Sequence, residues 1–253
     1  MDDCHPVNTP MMTGCKLSKS NDSPGVSQSE YRSIIGSLLY LTTSRPYLMQ
    51  DVYMVSRFQY APKQSHLNVV KRIFKYIQGT IGYGLWYPKN NDFTLMAFTD
   101  VDWASCLDEK KSTSGGAFFL DDYLVAWHSK KQDSVSLSTT EAEYIATTSC
   151  CTQLLWMAQT LSDMGINVAK PIPILCDNTS AINLSKNLVM HSCTKHIAIK
   201  FHFLREKVLA NEVFVQYVPT QAYVAYIFTK PLSKEVFEQL RSRLGVVSQS
   251  LLV

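Results

Sequence analysis

Apolar residues recur at helical spacing in three successive stretches near the start of the chain. Tyr31, Ile34, Ile35, Leu38, Leu39 and Leu41 form one stripe, and Val52, Val55 and Phe58 form a second that Pro62 ends. A third runs from His66 through Val69, Val70, Ile73, Phe74 and Ile77 and stops at Gly79. The spacing predicts three helices between Ser29 and Thr80, with Lys71, Arg72 and Lys75 as the solvated face of the last. Ahead of them, residues 1–27 are rich in Ser, Asn, Pro, Lys and Met, show no period, and read as a flexible lead.

The period changes after Pro88. A short apolar run from Phe93 to Thr99 ends at Asp100, and Gly115–Leu120 and Leu124–Trp127 flank Asp121-Asp122-Tyr123 as a hairpin. Ser138-Thr139-Thr140-Glu141 has the form of a capping box opening a long helix to Met164, closed by Gly165. Ile172–Leu175 reads as a buried strand ending at Cys176-Asp177, followed by a polar helix over Lys195–Ala210 and a strand over Val213–Val218. Helical pieces near Ala225 and from Lys234 to Leu244 complete the pattern. This order predicts a mixed α/β sheet with flanking helices, not a sandwich or a bundle. Trp103, Trp127 and Trp156 are assigned to the core.

Three carboxylates stand out against this pattern. Asp100 and Asp177 follow apolar runs, and strand ends in an open α/β sheet are where ligands gather. Glu143 steps in threes and fours with Ala146, Cys150, Leu154, Met157, Leu161 and Met164, which places it on the stripe facing the sheet. A carboxylate there is costly unless something pairs with it. Glu141 points elsewhere and serves the cap. Singly, each acid reads as a cap or loop charge; as a set without a matching basic cluster they point to a divalent cation site. Two ions about 4 Å apart could clamp the attacking and leaving oxygens of a phosphodiester.

Composition narrows the class. At 46% hydrophobic and 18% charged the chain is globular, and a net charge of +3 permits a polyanionic partner without demanding one. Seven cysteines include no C-x-x-C pair, so they read as free thiols in a reducing compartment, not a zinc knuckle or a disulfide frame. The first residues have two acids and no apolar core, and no apolar stretch is long enough to span a membrane, so an intracellular, cytoplasmic or nuclear, unsecreted protein is expected.

The segments FTDVDWA (98–104), KSTSG (111–115), SKKQ (129–132), STTEAEYIA (138–146), CDNTSAINL (176–184), TKHIAIKFHFLRE (194–206) and IFTKPL (227–232) resemble, in matching order, the RNase H domain of copia-type retrotransposon Pol polyproteins of the plant type. Upstream, YRSIIGSLLYLTTSRP (31–46) and SHLNVVKRIFKYIQGTIGYGLWYP (65–88) resemble the thumb-like end of that element's reverse transcriptase, without the catalytic palm, so DNA synthesis is not expected. The resemblance implies an RNase H-like fold: a five-stranded mixed sheet with flanking helices, preceded by a small helical thumb-like segment. It divides the chain into the lead (1–27), a helical remnant (28–88), an RNase H domain (92–232) and a C-terminal helix and tail (233–253).

It also implies hydrolysis of the RNA strand of RNA–DNA hybrids by four carboxylates and Mg2+, with Mn2+ as a substitute. Asp100, Glu143 and Asp177 match three of the four as catalytic and metal-binding residues, while Asp102 belongs to the motif but is expected to point away from the metal pair. The fourth acid of the family lies in Ala-Asp-Ile-Phe-Thr-Lys, whereas this chain reads Ala225-Tyr226-Ile227-Phe228-Thr229-Lys230, with Tyr226 at the acid's place. A phenol stays protonated at neutral pH and is a poor Mg2+ ligand. Tyr47 and Cys193 also replace an expected Asp and Arg. An impaired nuclease is therefore one expectation, and a non-catalytic nucleic-acid-binding or inert remnant the other. Lys130, Lys131, Lys195, His196 and Lys200 are candidate contacts to a hybrid, against a reading as solubility charges, and the missing reverse transcriptase palm is a candidate partner.

Overall fold

The first two apolar stripes become α1 (Gln28–Leu41) and α2 (Met49–Ser56), and the third becomes α3 (Gln64–Gln78). Ser27 caps α1 by accepting from the Glu30 N–H. The stripes bury Tyr31, Ile35 and Leu38, then Val52 and Val55, then Val70, Ile73 and Tyr76. In this computed structural model residues 4–89, 93–186, 195–219 and 223–251 are described, the backbone alone at 186, 195–201 and 251; Cys193 lies outside them.

Residues 4–27, expected to be flexible, contain neither helix nor regular strand but lie against the helices. Met11 is buried, and the Asp108 carboxylate accepts from Ser18 Oγ at 2.7 Å and from the Lys19 N–H at 3.1 Å. His66 Nδ1 accepts from the Lys63 N–H at 3.1 Å, which leaves Nε2 to donate to the Ser18 carbonyl at 3.1 Å. Side-chain and carbonyl contacts of this kind leave no apolar period for a sequence reading to find.

The sheet has the order β4-β3-β2-β5-β6. Strands β2 (Leu95–Asp102), β3 (Thr113–Leu120) and β4 (Tyr123–Lys131) form an antiparallel meander, and β5 (Ile172–Cys176) and β6 (Val213–Tyr217) add parallel to β2 and to each other. The order and strand directions are those of the mixed five-stranded RNase H-like fold. Two boundaries differ from expectation. The hairpin turn is Asp121-Asp122 alone, with Asp121 at φ 56° and Tyr123 already paired with Leu120. Strand β2 continues past Asp100, which sits opposite Gly115 inside the ladder, because Val101 and Asp102 still find partners on β3.

Helix α4 (Thr139–Asp163) crosses one face of this sheet. Ser138 Oγ accepts from the Glu141 N–H at 3.1 Å, and the Glu141 carboxylate accepts from Leu137 N at 2.7 Å, one residue earlier than a capping box requires. The predicted stripe is buried at Glu143, Ala146, Cys150 and Leu154, but Met164 is exposed because the helix outruns the sheet. Helices α5 (Thr179–Lys186), which no apolar pattern announced, and α6 (Lys195–Leu209) pack against α4.

The opposite face carries α1–α3, a 3-10 turn at Val224–Phe228 and α7 (Lys234–Arg243). Ile35, Val52 and Ile73 share one continuous core with Phe119 and Leu124 of the sheet, Phe228 of the turn and Leu240 of α7. Strand β1 (Tyr83–Leu85) pairs antiparallel with β7 (Val246–Ser248), tying the two ends of that layer together. Helices α1–α3 and the sheet thus pack as one body. Trp127 lies at its rim, donating from Nε1 to the Thr42 carbonyl at 3.1 Å. Trp103 and Trp156, assigned to the core from sequence, are exposed: Trp103 at the open end of β2 and Trp156 on the outer side of α4.

Candidate active site

Neighbouring strands β2 and β5 are parallel, yet the chain leaves β2 toward β3 and leaves β5 toward β6, on opposite sides. Such a switch point opens a crevice at the carboxyl ends of the two strands. Asp100 near the end of β2 and Asp177 just after β5 lie at that crevice, and Glu143 reaches it from the second turn of α4. One oxygen of Glu143, one of Asp177 and Cys176 Sγ lie within 4.8 Å of one another. Asp100 is near enough for its charge to act on Glu143 and for the Asp177 charge to act on it. Glu143 and Asp177 thus meet at this crevice, with Asp100 within range of their charges.

Burial governs their electrostatics. Asp100 is 2% exposed and Glu143 7%, and Glu143 Oε2 is a buried oxygen with no hydrogen-bond partner. Burial first, then the Asp100 and Asp177 charges, push the Glu143 carboxyl up to about 9. Burial also raises Asp100, to about 6, against the pull of the Lys230 ammonium and the Thr229 hydroxyl. The Cys176 thiol is pushed up to about 12 by burial and then by Glu143.

A segment from the 3-10 turn closes the crevice. Thr229 Oγ1 donates to Asp100 Oδ2, and Lys230 Nζ stands 3.7 Å from the same oxygen. Tyr226 Oη donates to Asp177 Oδ2 at 2.7 Å, and Lys230 Nζ lies 3.7 Å from the Tyr226 ring centroid. Tyr223 packs edge-on to Tyr226 and its hydroxyl donates to the carbonyls of Thr99 on β2 and Leu175 on β5, fastening the segment across the strand pair. Gly115 permits this approach: a Cβ there would stand 2.8 Å from Phe228 Cβ and 2.8 Å from Thr229 Cγ2. Sequence reasoning named Tyr226 but not Tyr223, Thr229, Lys230 or Cys176. Thr229 and Lys230 stand in the IFTKPL motif with no role that the sequence assigns them, and Cys176 reads there as one of the free thiols.

Asp102 shares the face of Asp100 by strand alternation, is held by Ser105, and lines a cavity of about 490 Å³ beside the acids. Lys16, Lys19, Arg57 and Lys230 supply cations to that cavity, and Asp108 and Glu109 supply acids. The expected nucleic-acid contacts divide. Lys131 lies 2.7 Å from Glu109, an ion pair that holds Glu109 down at about 2, while Lys130 makes only a 3.9 Å exposed contact with Asp133. The side chains of Lys195, His196 and Lys200 lie outside the described residues.

The adjoining Glu143 and Asp177 carboxylates, the first with a buried unpartnered oxygen, and Asp100 within range of their charges offer the oxygen ligands that one hard divalent cation takes. The place of a fourth acid does not fit a second: Tyr226 holds a phenol already donating to Asp177 and covered by an ammonium.

Strand order, switch point and acidic corner define the class, an RNase H-like domain. No family model matches the chain. The Pol polyprotein of transposon RE1 of Arabidopsis thaliana is 39% identical over 241 residues, 95% of this chain and 16% of its own length. The corresponding protein of RE2 from the same plant is 38% identical over 242 residues, covering 96% and 17%, and that of TNT 1-94 of Nicotiana tabacum is 35% identical over 255, covering 98% and 19%. Among solved structures, LC11-RNase H1 in complex with RNA/DNA hybrid aligns over 54% of this chain and 94% of that one at 12% identity, with a TM-score of 0.41. The fold assignment rests on strand order instead. The chain belongs to the retrovirus-related Pol polyproteins of copia-type transposons, and it spans less than a fifth of the length of these curated relatives.

Proposed function

We propose that this chain is the RNase H part of a copia-type Pol polyprotein, built to hydrolyse the RNA strand of RNA–DNA hybrids and impaired in this sequence by Tyr226. The observation that carries the reading is the Tyr226 hydroxyl bonded to the Asp177 carboxylate inside an otherwise convergent acidic corner. Asp100, Glu143 and Asp177 would hold Mg2+, or Mn2+ in its place, which when bound supplies a nucleophilic water at neutral pH and screens charge on the phosphodiester oxygens. The protein's own groups work against that loading: Tyr226 occupies one Asp177 oxygen, and Lys230 and Thr229 occupy one Asp100 oxygen.

A positioning error of about 1 Å can cost on the order of a hundredfold in rate. Cleavage of a labelled hybrid by the native chain is therefore expected to be near background with Mg2+ and to favour Mn2+. Tyr226→Asp should raise it by about a hundredfold, and the same change combined with Asp100→Asn should not. A native chain of full activity would remove Tyr226 from the site. A folded but inert Tyr226→Asp variant would favour the second reading, a nucleic-acid-binding remnant, which the cations around the adjoining cavity support.

A further inference from the structure

We propose that Glu143, Cys176 and Asp177 form a mononuclear site for a thiophilic divalent cation of the Zn2+ class. This rests on reading the corner as a cation site, not on hybrid cleavage.

Three observations carry it. The two carboxylates and the thiol converge within 4.8 Å, from the second turn of a long helix and the end of a central strand, both rigid elements. Glu143 Oε2 is buried, without a partner, and belongs to the carboxylate that faces the other two. Cys176 Sγ accepts from the Asn178 N–H at 3.4 Å, donates over 3.9 Å to the Asn178 carbonyl and is hydrogen-bonded with the Thr147 side chain, so its partners are neutral groups and no charge holds it from a ligand role. The Asp100 side of the corner is meanwhile covered by Lys230 and Thr229. Tyr226 takes one Asp177 oxygen in the same way, so what lies together within 4.8 Å is one oxygen from each of two carboxylates and a sulfur, not a set of four carboxylates.

That difference selects the ion. Mg2+ takes oxygen ligands at about 2.0–2.1 Å, whereas Zn2+ accepts sulfur at about 2.3 Å and oxygen at about 2.0–2.2 Å in a tetrahedron. Such bonds place sulfur and oxygen about 3.5 Å apart, so the three ligand atoms need close by no more than side-chain rotation allows. On binding, the Cys176 thiol and the Glu143 carboxyl would each release a proton to solvent, leaving a thiolate and two carboxylates as ligands, with water for the fourth. A zinc ion held there would exclude the hard cation that cleavage needs.

The test uses the full chain stripped of metal and titrated with Co2+. A thiolate-to-cobalt charge-transfer absorption is expected in the native protein and in Cys106→Ser, and not in Cys176→Ser. Zn2+ affinity, read by competition with a chromogenic chelator, should fall in Cys176→Ser by at least the roughly hundredfold that loss of an outer-shell partner can cost. Mn2+ binding, read by its EPR signal, should be unchanged in Cys176→Ser and lost in Glu143→Gln. Absorption that persists in Cys176→Ser, or native Zn2+ affinity no higher than that for Mg2+, overturns the inference. If Mn2+ still binds in that case, the carboxylate site and the proposed function stand; if Mn2+ fails as well, both fall. Should Cys176→Ser not fold, a chain with Cys4, Cys15, Cys106 and Cys193 changed to Ser decides, since the absorption must survive there.

Discussion

At the scale of single residues, the corner is held together against its own charges. Glu143 has an unfolded carboxyl near 4.5 and a folded one near 9, so between those values the unfolded chain has released a proton that the folded chain keeps. Folding therefore loses stability as pH rises through this window. Glu143→Gln, which keeps the shape and removes the charge, should unfold at a higher temperature than the native chain at pH 8, with the gap closing toward pH 4. Melts at several pH values without divalent cations measure this, and equal pH slopes for the two proteins would place Glu143 in water. Glu143 was legible in sequence because helical period alone puts an acid on a buried face. Lys230 and Cys176 were not: a lysine and a cysteine beside an apolar run announce nothing until the turn and the strand bring them to the acids.

At the scale of elements, the long periodic segments were readable and the short ones were not. Helices α1, α3 and α4 carry enough turns to show a stripe, while β1, β7 and α5 are too short or too polar to show one. The segment Tyr223–Lys230 reads in sequence as a helical piece near Ala225, but its seating across the strands does not, and that seating decides the site. It depends on Gly115, opposite Asp100, where a methyl group would meet Phe228 and Thr229. Gly115→Ala is expected to destabilise the protein by about 1–3 kcal/mol, the usual cost of overpacking, and to loosen the Tyr226–Asp177 contact. Denaturant midpoints read the first effect. Increased Tyr226 fluorescence quenching by a soluble quencher, against a chain retaining only that segment's tyrosines, reads the second, and an unchanged midpoint would mean the turn does not rest on β3.

At the scale of the whole molecule, contacts cross the divisions expected from sequence. Gln50 of α2 donates to the Thr229 carbonyl at 2.9 Å and accepts from Ser129 Oγ of β4 at 2.7 Å, so the thumb-like layer supports the very segment that lines the acids. The lead adds Lys16 and Lys19 to the cavity wall. If a hybrid lies along that wall, binding should weaken steeply as salt rises, because phosphate contacts release counterions. Lys16→Ala and Lys19→Ala should each lower the slope of log affinity against log salt by about one. Titrations at several ionic strengths check this, and a slope indifferent to both changes would route the hybrid elsewhere.

The β1–β7 clasp and the core behind it also set an order of assembly on the ribosome. Tyr47 and Tyr76 pack edge-on against Phe237, which is synthesised only after the whole sheet, and Tyr83–Leu85 waits for Val246–Ser248. Helices α1–α3 therefore emerge with an apolar side that has no lasting cover while the entire sheet is still being synthesised. Contacts so distant along the chain slow folding and lengthen the exposure of sticky surface. A nascent chain stalled before Phe237 should be bound by holdase chaperones through its first helices, and released once α7 and β7 have cleared the exit tunnel.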